Sequence, residues 1–201
     1  MQRFEAVVFD IGNVLLEWNY EAYYTERFGA EVTARFLAET DMLAAHFLTD
    51  AGAGFSETIR AHEGRHPDWA HMIRLWREDW IAMCAPVIDG SVALMREVQA
   101  RGTPVFALSN FGAENFEWTA NALPFLREFD RAFISGRMKM AKPDPAIYAA
   151  VEQESGLPGH ALFFIDDREE NCAAAEQRGW RAHRFETPDR LRPDLEHAGL
   201  L

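Results

Sequence analysis

Ala6-Val7-Val8-Phe9-Asp10 is a run of four apolar residues that ends on a carboxylate. Two later stretches repeat this arrangement: Val105-Phe106-Ala107-Leu108 is followed by Ser109-Asn110, and Ala161-Leu162-Phe163-Phe164-Ile165 is followed by Asp166-Asp167. Strands in the middle of a parallel sheet are covered on both faces, so uninterrupted apolar runs are typical of them. The three runs therefore predict three buried strands of a parallel sheet.

Helical stretches lie between these runs. Ser91–Ala100, Pro145–Glu154 and Asn171–Arg178 carry apolar residues at helical spacing or are rich in alanine, and a glycine follows each of them as a stop. Arg131–Ile134 and, more weakly, Arg181–Phe185 are further strand candidates. This alternation of strands and helices predicts an open α/β sheet.

One segment, residues 18–85, interrupts the alternation because it contains no convincing strand. We predict that it is a helical insertion in a core built from residues 1–17 and 86–201. Three of its tryptophans share one helical face and are predicted to fill the core of the insertion, namely Trp69, Trp76 and Trp80. The helices predicted for the insertion are Tyr20–Phe28, Val32–Glu39, Met42–Leu48, Ser56–His62 and Trp69–Met83.

Composition restricts the class of protein and its partners. The chain has 201 residues, of which 48% are hydrophobic, and a net charge of −12, as expected of one compact domain with a modest insertion. An acidic surface repels polyanions, so nucleic acid and anionic membranes are poor partners.

No apolar run approaches the ~20 residues of a membrane span. The early first strand predicts no secretory signal, and the two distant cysteines, Cys84 and Cys172, are typical of a reducing cytoplasm.

Polar residues follow the predicted strands, and ligands of open α/β sheets bind beyond the carboxyl ends of the strands. Asp10, Ser109-Asn110, Lys142 and the pair Asp166-Asp167 are therefore expected to converge. Three carboxylates around one point repel each other unless a cation lies between them, and hard oxygen ligands suit Mg²⁺. We predict that Mg²⁺ is held by Asp10, Asp166, Asp167 and the backbone carbonyl of Gly12.

Each of these residues has a plausible chemical task. Asp10 can act as a nucleophile, which splits a hard hydrolysis into two easier steps. Lys142 would neutralise a phosphoryl group and keep Asp10 ionised, and Ser109 would donate a hydrogen bond to phosphoryl oxygens. Asn110 and Trp18 are candidate substrate contacts. Singly, such residues are common in turns and helix caps, but their ordered occurrence at strand ends favours one shared site.

Four segments carry these residues in order: Val7-Val8-Phe9-Asp10-Ile11-Gly12-Asn13-Val14-Leu15, Ala107-Leu108-Ser109-Asn110, Lys142-Pro143-Asp144-Pro145-Ala146-Ile147-Tyr148 and Phe163-Phe164-Ile165-Asp166-Asp167-Arg168-Glu169-Glu170-Asn171. As a set these four motifs resemble the haloacid dehalogenase (HAD) superfamily, and the resemblance covers about residues 4–185. It implies a Rossmann-like core, a helical cap inserted after the first motif, Mg²⁺ and an aspartyl nucleophile. The form of the first motif resembles a bacterial branch that includes sugar-1-phosphate phosphatases.

The chain departs from the family pattern at Gly12. Phosphatases of the family usually carry a second aspartate there as general acid and base, and such help is worth about 10²–10⁴-fold in rate. Either the leaving group needs little protonation, or another residue supplies the proton. His46, His62 and Glu17 are candidates, although a surface position is expected of each.

We therefore predict a Mg²⁺-dependent phosphatase whose partner is a small phosphorylated substrate, with a sugar phosphate as one candidate. One alternative is a 2-haloacid dehalogenase in which Asp10 attacks carbon without a metal. Dehalogenases of the family typically replace one of the paired acids with an uncharged residue, so Asp166-Asp167 favours the phosphatase. The other alternative is a non-catalytic protein of the same fold that binds a small ligand.

Overall fold

The computed structural model describes residues 4–201; residues 1–3, which begin the predicted core segment 1–17, lie outside the described residues. In the described part, five parallel strands form one sheet, and along its width they follow the order β3-β2-β1-β4-β5. The predicted parallel α/β sheet is confirmed. Its strands are β1 (Ala6–Phe9), β2 (Val105–Ser109), β3 (Arg131–Ile134), β4 (Leu162–Asp166) and β5 (Arg181–Arg184).

The central strand β1 explains the uninterrupted apolar runs. All of its residues are buried, and so are all residues of its two neighbours β2 and β4. Val7 pairs with Val105 on one side and with Phe163 on the other. Because the strands are parallel and in this register, the residues that follow β1, β2 and β4 meet at one edge of the sheet.

Helices occupy the long connection between β1 and β2. Within residues 18–85, all of which are described, the structure forms helices and turns but no strand. The division into a core of residues 1–17 and 86–201 and a cap of residues 18–85 remains a prediction. The helices are α1 (Tyr20–Phe28), α2 (Ala30–Thr40), α3 (Met42–Asp50), α4 (Phe55–Arg65), α5 (Ala70–Glu78) and α6 (Trp80–Met83).

The remaining helices connect and flank the strands. The tail forms a last helix at Pro188–His197, whose Leu191 and Leu195 are buried in the core. Short 3₁₀ turns occur at Pro67–Trp69, Pro124–Arg127 and Gly159–Ala161. The helices are α7 (Asp89–Ala100), α8 (Ala113–Ala122), α9 (Ser135–Met138), α10 (Pro145–Ser155), α11 (Glu169–Gln177) and α12 (Pro188–His197).

The chain segments that enter and leave the helical stretch lie side by side. Leu16 forms an antiparallel bridge with Val87. The Glu17 N–H donates to the Pro86 carbonyl at 2.9 Å, and the Ile88 N–H donates to the Leu15 carbonyl at 2.9 Å. We call this pair of segments the connecting ribbon.

Two sequence-based expectations about the helices are wrong. The single helix predicted over Trp69–Met83 is divided, because its backbone leaves helical geometry at Asp79 (φ −107°, ψ 21°) between α5 and α6. Trp76 and Trp80 are buried as expected, but Trp69 is only partly buried and its indole N–H donates to Glu39 at 3.0 Å. A further helix, α8, has no counterpart among the predicted helices, because its buried face includes the polar residues Asn115 and Thr119.

Aromatic residues of the helical stretch pack on one another within the same hydrophobic core that contains Val7 and Phe9 of β1. Tyr24, Phe36 and Trp76 are fully buried, with the Tyr24 ring 4.9 Å from Phe36 and 5.9 Å from Trp76 between centroids. The Tyr24 hydroxyl donates to the Met72 carbonyl at 2.8 Å, so its polar atom is satisfied inside this core. Across residues 4–201, none of the helices combines the length and apolar character that crossing a bilayer requires.

Gly136 supports the loop that follows β2. A Cβ at this position would lie 2.6 Å from the Ala113 backbone nitrogen and 2.9 Å from the Phe111 carbonyl oxygen. We expect Gly136→Ala to lower the free energy of unfolding by about 1–3 kcal/mol, because backbone atoms have to move. Chemical denaturation measures the change.

Gly64, in the exposed part of α4, provides the matched control. A Cβ there would have no described atom within 4 Å. We expect Gly64→Ala to raise the free energy of unfolding by about 0.5–1 kcal/mol, since alanine loses less entropy in a helix. Equal effects at both positions would contradict the steric explanation.

Candidate active site

The Asp10 carboxylate lies at the carboxyl end of the central strand. One of its oxygens, Oδ1, accepts a hydrogen bond from the Ser109 hydroxyl at 2.7 Å and another from the Ile11 N–H at 2.7 Å. Ser109 ends β2, so two neighbouring strands position this pair. The carboxylate is fixed in orientation, and its other oxygen faces Lys142.

Lys142 carries a buried ammonium group between two carboxylates. Its Nζ lies 2.9 Å from Asp10 Oδ2 and 2.6 Å from Asp166 Oδ2, and it also donates to the Leu108 carbonyl at 2.9 Å. The side-chain amide of Asn110 holds the backbone of Lys142 by two hydrogen bonds of 2.8 and 2.9 Å. Asn110, predicted as a substrate contact, therefore also positions the lysine.

Asp166 ends β4 and Asp167 follows it, and the two carboxylates differ in burial. Asp166 is fully buried, and its Oδ1 accepts hydrogen bonds from the Arg168 N–H and the Asn171 amide, both at 2.9 Å. Asp167 is only partly buried and accepts a hydrogen bond from the Asn13 amide at 3.2 Å. Asn13 has a positive φ of 56°, a conformation that asparagine tolerates better than most residues.

The three carboxylates are placed to share a cation. Ligand oxygens of Asp10, Asp166 and Asp167 lie within 4.8 Å of one another. Burial, with a contribution from Asp166, raises the pKa of Asp10 to about 7, although the charge of Lys142 acts in the opposite direction. Burial and the charge of Asp166 also raise the pKa of Asp167. One ammonium does not balance three carboxylates, so the site fits a divalent cation with hard oxygen ligands.

Gly12 lines the cavity above this cluster. A Cβ at Gly12 would have no described protein atom within 4 Å, and its φ lies outside the left-handed region. Neither protein packing nor backbone conformation therefore requires glycine here. That Gly12 leaves room for a ligand and offers its carbonyl to a metal remains a prediction.

A cavity of about 760 Å³, including its part open to solvent, lies between the sheet edge and the helical stretch. Its floor carries Asp10, Ser109, Asn110, Lys142 and Asp167, so most of the predicted site residues share it. Asp166 lies beneath, in contact with Lys142. The apolar wall consists of Leu16, Trp18, Phe47, Trp80, Cys84 and Phe111, which places the predicted contact Trp18 in the cavity.

The structure corrects the expected surface positions of two histidines. His46 is buried and lines the cavity, with its ring 4.8 Å from Trp18 and 5.4 Å from Trp80 between centroids. Burial lowers the pKa of His46 to about 3. His62 is also buried, but it is not among the described residues that line the cavity. Glu17 is exposed as expected.

Sequence reasoning missed Asp50. This aspartate is buried at the end of α3 and lines the same cavity as Asp10. Its Oδ2 lies 3.7 Å from His46 Nε2, one helical turn earlier. The available signal was the spacing of histidine and aspartate at positions i and i+4, which places both on one helix face.

Comparisons with known proteins were consistent with this geometry. The model of the haloacid dehalogenase-like hydrolases matches residues 4–179. A drimenol cyclase from Aspergillus calidoustus is 23% identical over 193 residues, 94% of this chain and 35% of that protein. A sesquiterpene phosphatase from Aspergillus oryzae is 30% identical over 87 residues, 43% of this chain and 44% of that protein. The chain thus spans less than half the length of these curated relatives.

Solved structures share the fold over most of the chain. The HAD family enzyme BT-2542 from Bacteroides thetaiotaomicron, in complex with magnesium and inorganic phosphate, is 20% identical at a TM-score of 0.70, covering 92% of this chain and 95% of that one. An L-2-haloacid dehalogenase from Xanthobacter autotrophicus is 16% identical at a TM-score of 0.65, covering 98% and 84%. These likenesses show the fold and do not choose between the two chemistries.

The position of Lys142 yields a stability prediction. We expect Lys142→Met to lower the free energy of unfolding by about 3–5 kcal/mol near neutral pH, because the buried carboxylates lose their counter-charge. Without the ammonium, the pKa of Asp10 rises further, so its protonated form is favoured in the folded state. The loss should therefore be smaller at about pH 5 than at about pH 8, as urea denaturation at both values would measure.

Lys139 is the matched control because it is exposed and lies three residues away. Lys139→Met should change stability by no more than about 0.5 kcal/mol at either pH. A Lys142→Met loss that does not depend on pH would show that packing, and not charge, explains the effect.

Proposed function

Since this chain belongs to the haloacid dehalogenase-like hydrolase family, we propose that it is a Mg²⁺-dependent phosphatase. It hydrolyses a small phosphate monoester through an aspartyl-phosphate intermediate on Asp10. One observation carries this proposal: the carboxylates of Asp10, Asp166 and Asp167 converge within 4.8 Å beside a buried lysine. An arrangement with that much negative charge is suited to a cation and a phosphoryl group together.

Each residue of the site has its own role in the proposed reaction. The Asp10 carboxylate attacks phosphorus, and the bond to the leaving oxygen breaks. Lys142 keeps Asp10 ionised and offsets charge on the phosphoryl oxygens. The Ser109 hydroxyl donates its hydrogen bond to Asp10 and so orients the nucleophile. Water then attacks the phosphorus of the aspartyl-phosphate and releases inorganic phosphate.

Asp10, Asp166, Asp167 and the Gly12 carbonyl would hold Mg²⁺. When bound, the ion supplies positive charge that balances the carboxylates and the phosphoryl oxygens. Two similar proteins support the assignment, since one is a sesquiterpene phosphatase and the other was solved with magnesium and inorganic phosphate.

A dehalogenase is the second candidate, favoured by the absence of a carboxylate at Gly12, because a departing halide needs no proton. A 2-haloacid is itself an anion, however. In a metal-free site it would approach three buried or partly buried carboxylates that are opposed by one ammonium. That repulsion makes the phosphatase the better explanation.

The cavity wall also suggests the kind of alcohol that is released. Trp18, Phe47 and Phe111 present apolar surface to the cavity that the acidic residues also line. We propose that the helical stretch of residues 18–85 acts as a cap over the site, and that the organic part of the substrate has an apolar face which packs on this wall. An apolar alcohol fits such a wall better than a sugar does.

Asp10→Asn tests the proposed nucleophile. We expect phosphate release from a panel of phosphate esters to fall by on the order of 10³-fold or more, because the amide is a poor nucleophile. Chelation of Mg²⁺ should abolish the wild-type activity. The assay measures phosphate from the esters and halide from 2-haloacids, each with Mg²⁺ and with chelator.

Asp68→Asn is the control, since Asp68 is an exposed aspartate of the helical stretch and should leave the rate unchanged. Halide release that ignores the chelator would identify a dehalogenase instead. Inertness towards both panels would support a non-catalytic protein that binds a small ligand.

Trp18→Ala tests the apolar wall. We expect the KM for p-nitrophenyl phosphate to rise about tenfold, because roughly 1–1.5 kcal/mol of apolar contact is lost, while the KM for glycerol phosphate changes less. Trp69→Ala is the control because Trp69 is partly buried outside the cavity. An equal change for both esters would show that Trp18 supports the fold only.

A further inference from the structure

We propose that Asp50 is the general acid and base of this site and replaces the carboxylate that is absent at Gly12. The inference rests on the proposed phosphatase function and adds a catalytic residue to it. It starts from the position of Asp50, at the last residue of α3, in the same cavity as Asp10, Ser109 and Lys142.

The hydrogen bonds of Asp50 leave one oxygen available. A backbone hydrogen bond from Gly112 reaches the carboxylate, while its Oδ1 has no hydrogen-bond partner among the described residues. Asp50 is only 5% exposed. A buried carboxyl oxygen without a partner costs free energy, and a ligand in the cavity would relieve that cost by sharing a proton with it.

The environment suits proton transfer at neutral pH. Burial raises the pKa of Asp50 to about 7, and the charge of Asp10 acts in the same direction, against the Gly112 hydrogen bond and the charge of Lys142. A group with such a pKa can both donate and accept a proton near neutrality, which general acid–base catalysis requires.

The other candidates for this role are less suitable. His46 lies in the cavity, but burial lowers its pKa to about 3, so its ring is neutral near pH 7 and has no readily acidic proton. His62 and Glu17 do not line the cavity that the described residues form. The Asp50 carboxyl thus remains as the acid that lines the same cavity as the nucleophile.

The proton balance covers both halves of the reaction. As Asp10 attacks phosphorus, the bond from phosphorus to the leaving oxygen breaks, and that oxygen takes the proton of the Asp50 carboxyl to leave as the alcohol. Water then attacks the phosphorus of the aspartyl-phosphate and passes a proton to the Asp50 carboxylate. The bond from phosphorus to Asp10 breaks, and both aspartates return to their starting states.

The effect of Asp50→Asn should depend on whether the leaving group needs a proton. Hexyl phosphate needs a proton on its leaving oxygen, so its hydrolysis should fall by about 10²–10⁴-fold. p-Nitrophenolate leaves without a proton, so its release in the first turnover should stay near the wild-type rate. Turnover should then stall, and the covalent phosphoenzyme should accumulate, as stopped-flow absorbance and intact mass measure. Asp50→Glu, which keeps a carboxyl, should recover part of the hexyl phosphate rate.

Glu57→Gln is the matched control, since it removes an exposed carboxylate from α4 and should change neither rate. The first-turnover release also shows that the variant is folded; if Asp50→Asn does not fold, the smaller Asp50→Ser takes its place. Hydrolysis of hexyl phosphate by the variant within about threefold of wild type would overturn the role of Asp50 alone. Equal slowing of both esters in the first turnover would overturn it as well. A wild-type protein that hydrolyses neither ester with Mg²⁺ would instead overturn the phosphatase assignment on which the role depends.

Discussion

The burial of like charges is the constraint on which the rest of the site depends. Asp10 and Asp166 both place a carboxylate oxygen within 3 Å of the single Lys142 ammonium, where little water can reach them. Buried charges are costly unless they are paired. The lysine, the Asn110 amide that fixes its backbone, and the Ser109 hydroxyl on Asp10 are therefore one unit. The unit remains negative overall, and that excess favours a divalent cation.

The sheet makes this unit possible because it brings residues that are far apart in the sequence to one edge. The sheet could be predicted from local signals, because apolar runs indicated the strands and the polar residues after them indicated the site. Asp10, Ser109, Lys142 and Asp166 thus converge where the sequence indicated. The roles of these residues are not visible in their positions alone.

The helical stretch was harder to predict because its burial is decided by contacts between distant segments. His46 lies on the short predicted helix Met42–Leu48 and Asp50 lies beyond its predicted end, yet both are buried, His46 against the rings of Trp18 and Trp80. Trp80 read as part of the stretch's own core, yet its indole N–H donates to Thr119 of α8 at 2.9 Å. The break at Asp79 is likewise absent from the apolar spacing, which continues through it.

The connecting ribbon has a mechanical consequence. Since the two segments beside Leu16 and Val87 are bonded to each other, the helical stretch begins and ends at one paired piece of backbone. The same helical stretch is also joined to α8, since Ser56 donates hydrogen bonds to Glu114 and the Trp80 indole N–H donates to Thr119. Any movement of these helices away from the sheet would therefore break the hydrogen bonds to Glu114 and Thr119, whereas the ribbon could stay intact. In the proposed phosphatase, groups that never touch the phosphate would then limit how far the cavity opens.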